Sequence, residues 1–232
     1  MGLFSSDVRD QYISRVVKGN TFADICGLWG TVNEKVSVAH RCGASELTMM
    51  DIQPPESDLW QKFHDRMSAL EISGYRCVTL DLGHPQIDST VQPVDVVHCS
   101  GVLYHHPNPM LLLANLRRTS RKFVILTSAI VRGEIKNKKG RYSLPPSSVL
   151  FVPALSDAER EIMRAHWEPY GTAYGLTQKC EFTVDNFAPW WWLPTATALL
   201  AMCTAAGFSV EDSAHTWNDN ALTVLLKCPA NK

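Results

Sequence analysis

Between Thr21 and Ile130 the chain alternates short apolar runs with stretches of helical periodicity, and the stretches between successive runs are long enough to hold helices. Parallel strands need such crossovers and hairpins do not, so the alternation restricts the fold to a parallel, doubly wound α/β sheet. Val94–Cys99 is the clearest strand, apolar apart from Asp95 and His98, as suits a strand buried on both faces. Thr21–Asp24, Leu47–Met50, Tyr75–Leu80 and Lys122–Ile130 are the other four. Helices are expected over Val8–Lys18, Thr31–Cys42, Ser57–Ser73 and Pro109–Arg118, where apolar residues recur at helical spacing.

The alternation lapses from Val131 to Pro189. Arg132 to Arg141 carries five basic residues and one acid, and reads as a solvated loop or a clamp for an anionic substrate. Pro145 to Ser148 is loop. A helix then starts at Ser156, which forms a capping box with Glu159, and stops at Pro169. The pattern resumes with a helix over Pro194–Ala206 and two closing strands, Phe208–Val210 and Ala221–Lys227, paired as a hairpin at the sheet edge. The expected organisation is one domain over 1–232: a ligand-binding half (1–130), an insertion or lid (131–190), and a C-terminal helix with closing strands (191–232).

With 232 residues and a formal net charge of -1, the chain lacks the excess of Lys and Arg on which nucleic-acid binding leans. Seven scattered cysteines form no CxxC pair, so neither a disulfide framework nor a metal site is expected, and reduced thiols suit a cytoplasmic protein. No apolar run is long enough to span a bilayer, and no signal peptide or membrane association is expected. Met1 to Ser6 fits the short myristoylation pattern, or is a frayed start before the first helix.

Acids mark the ends of three successive strands. Asp24 leads into a turn containing Gly27 and Gly30 and then a helix, an arrangement that aims backbone N–H groups at a ligand. Asp51 ends the second strand, 21 residues after Gly30, where a carboxylate can accept from both ribose hydroxyls. Asp81 ends the third, and ligands of open α/β sheets collect at these carboxyl ends.

On these residues the segment from about Phe22 to Ile130 resembles the class I S-adenosylmethionine-dependent methyltransferases, a Rossmann-like family whose sheet is mostly parallel and seven-stranded, with helices on both faces. Asp24 to Gly30 matches the family's acid-x-Gly-x-Gly-x-Gly loop in spacing, with Cys26 and Leu28 standing where glycine is usual. Asp95 to Pro109 is similar to its fourth-strand signature. A dinucleotide-binding dehydrogenase would need the complete three-glycine turn and leaves that run unexplained. The resemblance implies S-adenosylmethionine as cofactor, with S-adenosylhomocysteine as product. The cofactor would lie among Asp24, Cys26, Gly27, Gly30, Asp51 (ribose), Asp81 and Leu82 (adenine), Cys99 and Ser100.

His105 occupies the family's histidine position and is expected to act as general base or to shape the donor pocket. Tyr104 and His106 are candidate substrate contacts. Trp190, Trp191 and Trp192 cannot all face one side of a strand, so at least one is expected to line a pocket. The Trp-Leu-Pro-Thr run that follows is similar to the wobble-uridine carboxymethyl-transferring branch of the superfamily. The expected function is methylation of oxygen or nitrogen on a small polar metabolite or natural-product intermediate. A tRNA-modifying transferase and a non-catalytic S-adenosylmethionine-binding protein are the alternatives.

Overall fold

The computed structural model describes residues 7–87, 91–171, 174–177 and 189–229. The Met1–Ser6 pattern and Cys180 lie outside them. Five parallel strands form the expected sheet: β1 (Thr21–Ile25), β2 (Glu46–Asp51), β3 (Tyr75–Thr79), β4 (Val94–Ser100) and β5 (Ser120–Ala129). Four short strands of the insertion follow, β6 (Glu134–Asn137), β7 (Gly140–Ser143), β8 (Val149–Phe151) and β9 (Trp192–Pro194), before the closing pair β10 (Ser209–Thr216) and β11 (Ala221–Lys227). The main sheet has seven strands in the order β10-β11-β5-β4-β1-β2-β3, with β11 antiparallel to both neighbours. The chain winds outward in opposite directions from β1 and β4, which opens a crevice beyond their carboxyl ends.

Helices cover both faces. α1 (Val8–Val16), α2 (Val36–Arg41) and α3 (Asp58–Ala69) pack residues such as Ile13, Val36 and Phe63 on one core; α4 (Pro109–Thr119) and the last helix, α7 (Ala196–Ala205), pack Leu113, Leu116 and Leu199 on the other. The helix starts are capped by side chains that satisfy otherwise orphaned N–H groups: Asp7 for α1, Asn108 with Pro109 behind it for α4, and Thr195 for α7. No helix among the described residues is long and apolar enough to cross a membrane.

Four expectations are corrected. The single helix expected over Thr31–Cys42 is a 3-10 turn at Leu28–Asn33 followed by α2. The break has a cause: the Lys35 N–H bonds to Asp24 Oδ2 (2.8 Å) and Glu34 Oε2 caps the Ser37 N–H, so the helix restarts at Val36. The basic run is a β-hairpin, β6–β7, in which Arg141 pairs with Glu134 and Lys139 with Glu161. The strand expected over Phe208–Val210 extends to Thr216, because β10 is a polar edge strand paired along its length with β11. Pro194 closes β9 instead of opening the helix after it.

The insertion has its own core. α5 (Asp157–Trp167), with the expected Ser156–Glu159 capping box, and the short α6 (Tyr174–Thr177) bring Ile162, Met163, Trp167 and Leu176 against Trp190, and this cluster reaches the sheet through Tyr104 and Ala129.

Candidate active site

The first turn is built on Asp24. Its Oδ1 accepts from His98 Nδ1 at 2.7 Å, and its Oδ2 from the Lys35 backbone N–H. Both residues are buried, and β1 and β4 set them side by side in register. A Cβ on Gly27 would lie 2.5 Å from Asp24 Oδ2, so only glycine lets the turn close over the carboxylate. Cys26, standing where the resemblance expects glycine, has φ 61, the left-handed conformation that glycine adopts most readily. Its N–H still continues the ladder to Met50 O (2.7 Å). Leu28, the other departure, is fully buried in the core on the α1–α3 side. Gly30 sits in the 3-10 turn, and Trp29 beside it is 75% exposed.

Lys35 also carries the link outward. Its buried ammonium pairs with Asp7 (2.9 Å) and Asp10 (2.6 Å) of the first helix and its cap, fastening that helix to the turn. Sequence reasoning passed over Lys35 and treated His98 only as an interruption of an apolar strand. The available signal for His98 was a polar residue in a doubly buried strand, but its partner is 74 residues away.

Asp51 is buried at the end of β2, with Oδ2 accepting the Leu28 N–H (3.3 Å) and Oδ1 the Gln53 N–H (3.1 Å). Burial raises its pKa, against the pull of these backbone donors. The Cys26 thiol is pushed well up by burial, and then by Cys99, Asp51, Asp24 and Asp81 around it. The ends of the first four parallel strands therefore converge on this turn. Cys99 packs into the core beside Cys26, and Ser100 closes β4 half-buried. Asp95, the acid of the fourth-strand run, sits at the opposite end of β4, where it pairs with Arg121 (3.0 Å).

Asp81 is exposed, and its Oδ1 accepts the Gly83 N–H (2.8 Å). Leu82 is buried, and its carbonyl accepts from Asn115 Nδ2 of α4 (2.8 Å). The same amide nitrogen reaches His84 O (2.9 Å), so a fully buried asparagine clamps this loop. Asn115 was not singled out from sequence, since a polar residue on a helix is ordinary there. His106, expected among the substrate contacts, lies against this loop: a Cβ on Gly83 would overlap its Nε2.

His105 faces the insertion. Its Nδ1 lies 3.2 Å from Pro189 O, and its ring stands 4.3 Å from Tyr104 and 6.3 Å from Trp190. Tyr104 and Trp190 are both buried, in T-shaped contact with each other (5.0 Å), and Trp190 packs on Trp167 (4.9 Å). Trp190 also fills the space where Gly175 has no side chain. These two candidate substrate contacts form the wall behind His105. Trp192 is tied to Pro107 O by Nε1 (2.8 Å) and lies on Phe151, which leaves Trp191, half-buried, as the one of the three with neither role.

Neither a protein-family model nor a curated protein sequence matches the chain. Its fold is shared with solved structures at low sequence identity. A candidate exported protein from Bordetella parapertussis is 12% identical, with a TM-score of 0.62 over 96% of this chain and 66% of that one. A candidate methyltransferase from Bacillus halodurans C-125 is 11% identical, with a TM-score of 0.61 over 96% of this chain and 99% of the other. Magnesium protoporphyrin IX methyltransferase from Synechocystis PCC 6803, solved with bound S-adenosylhomocysteine, is 14% identical, with a TM-score of 0.54 over 98% and 90%. The class defined by the sheet order and these likenesses is the Rossmann-like α/β fold found in methyltransferases.

Proposed function

We propose that this chain binds S-adenosylmethionine at the ends of β1–β4 and transfers its methyl group to oxygen or nitrogen of a small polar acceptor. The observation that carries the reading is the gathering of Asp24, Asp51, Asp81 and Cys99 around one left-handed turn at Cys26. That recess suits the cofactor: a side-chain-free Gly27 allows close approach, and a buried carboxylate at Asp51 suits two ribose hydroxyls. The departures from the glycine loop do not weaken it, since Cys26 adopts the required backbone and Leu28 turns into the core.

When bound, the cofactor supplies a methyl group already activated on a sulfonium. The protein's task is alignment and, for a hydroxyl or amine acceptor, deprotonation. His105 suits the second role. A carbonyl oxygen only accepts, so the Pro189 contact keeps the proton on Nδ1 and the neutral ring's lone pair on Nε2. The net charge of -1 and the ion pairs that occupy Arg141 and Lys139 on the hairpin favour a small acceptor over a tRNA. The cysteines among the described residues are free thiols, which supports a reducing, cytoplasmic setting.

The test is calorimetric titration with S-adenosylhomocysteine, followed by transfer of labelled methyl from S-adenosylmethionine to metabolite fractions and to bulk tRNA. Binding together with label in a small-molecule fraction is the expected result. Label in tRNA, with binding that weakens steeply in salt, overturns the acceptor class; no cofactor binding overturns the whole reading.

A further inference from the structure

The two adjacent histidines of the β4 turn face different halves of the site. His105 lies against Pro189, Tyr104 and Trp190, whereas His106 lies over Gly83, one residue beyond the Asp81–Leu82 strand end. Gly83 has no positive φ, so its backbone does not call for glycine; the space does. A Cβ there would overlap His106 Nε2, lie 2.8 Å from Cδ2, and stand 3.2 Å from Asp81 Oδ1.

We propose that His106 is a cofactor-specificity residue, which hydrogen-bonds the adenine through Nε2; this rests on the reading that S-adenosylmethionine binds here. Nδ1 is engaged by Asn108 on both counts, its backbone N–H at 3.0 Å and its carbonyl oxygen at 3.2 Å, so Nδ1 has a partner in either tautomer and Nε2 is the nitrogen left to bond a ligand. Among the described residues Nε2 has no hydrogen-bond partner. Burial lowers the His106 pKa and so favours the neutral ring, although the Asn108 backbone contact and the nearby Asp81 pull the other way.

The frame around this nitrogen is fixed from one helix. Asn108 caps α4 and holds the His106 ring, while Asn115, two turns further along, clamps the Leu82 and His84 carbonyls of the facing loop. The gap between His106 and the loop is thereby set before any ligand arrives, which is what selective recognition by one ring nitrogen requires. Adenine offers only acceptors at its ring nitrogens N1, N3 and N7. Hypoxanthine carries a proton at N1, and each deaza analogue removes one acceptor.

The experiment is calorimetry on wild type, His106→Leu and His106→Gln with S-adenosylhomocysteine, its 1-, 3- and 7-deaza analogues and S-inosylhomocysteine. Wild type should lose about tenfold in affinity for one analogue of the set. His106→Leu should bind the parent about tenfold more weakly and no longer discriminate against that analogue. On wild-type protein, the ¹⁵N resonance of His106 Nε2 should move on adding S-adenosylhomocysteine, a readout that needs no variant to fold. Parent binding and discrimination unchanged in His106→Leu, or a resonance that stays put, overturn the proposal while leaving the cofactor reading intact. A wild type that binds none of these ligands overturns the cofactor reading itself.

Discussion

His98 and Asp24 meet across 2.7 Å in the interior of the sheet, one from β4 and one from β1, with both side chains almost completely buried. A carboxylate only accepts, so His98 Nδ1 carries the proton. The aspartate so fixed does two further things: it accepts the Lys35 N–H and occupies the space that a side chain on Gly27 would need. The acid of the loop therefore acts from beneath. Its oxygens are committed to holding the turn, which under the proposed function leaves ligand contact to the backbone above it and to Asp51.

His98→Leu should accordingly damage the turn more than the core. Leucine fits an apolar strand, but a buried Asp24 would lose a charge-assisted donor, at a cost of about 1.5–3 kcal/mol. Chemical denaturation should show that loss, and S-adenosylhomocysteine affinity should fall with it. A variant as stable as wild type would mean that Asp24 is held adequately by Lys35 alone.

Under the proposed function, Asp51 gives cofactor binding a pH dependence of one direction. Burial raises its pKa, so the carboxylate begins to take up a proton above the ordinary aspartate range near 4. Accepting from two ribose hydroxyls needs the ionised form. Affinity for S-adenosylhomocysteine should then be full at neutral pH and decline on acidification earlier than for an unperturbed aspartate. Asp51→Asn should weaken binding by about 1.5–3 kcal/mol at pH 7 and abolish that decline. Calorimetry from pH 7.5 down to 5 checks both, and a pH-independent wild type would remove Asp51 from the ribose.

The sequence disclosed the parts of this architecture that depend on local pattern. β4 and β5 are doubly buried, so their apolar runs stand out, and Asp51 and Asp81 are visible because strand ends can be counted. What remained hidden depends on register between distant strands or on packing. His98 gains its role only when β4 lies beside β1. The extension of β10 beyond Val210 escaped because an edge strand carrying Glu211, Asp212 and Ser213 has no apolar run to see. The tryptophans at 190–192 show the same limit: alternation predicts that they diverge, but only Gly175 and Trp167, brought in by the insertion, decide that Trp190 is the buried one.

The tie between α1 and the turn makes a stability prediction. Burial alone would raise the Asp7 pKa, but hydrogen bonds from Arg9 and Lys35 hold it far below the ordinary carboxylate range. Its folded pKa being depressed, the stabilisation is present above the unfolded pKa near 4 and is lost as pH falls below that toward the folded value. Asp7→Asn should cost about 1–2 kcal/mol at pH 7, since the site is only partly buried, and should flatten the stability profile between pH 5 and 2.5. Denaturant midpoints across that range measure it. A parallel profile in the variant would assign the acid sensitivity elsewhere.

His105 provides the sharpest separation of chemistry from binding. Its ring is held between the Pro189 carbonyl and the buried pair Tyr104 and Trp190, with the lone pair of the neutral form on Nε2. None of these contacts involves Asp51, Asp81 or the Cys26 turn. Replacement should therefore leave the donor pocket intact while removing a base. His105→Ala should lower turnover by about 10²-fold or more, the usual scale for a general base, with S-adenosylhomocysteine affinity within about twofold of wild type. His105→Gln tests the assignment further, because it fills the same space but takes up no proton, so the acidic limb of the pH–rate profile should disappear. If cofactor affinity falls in step with turnover in both variants, the histidine shapes the donor pocket and the proton leaves by another route.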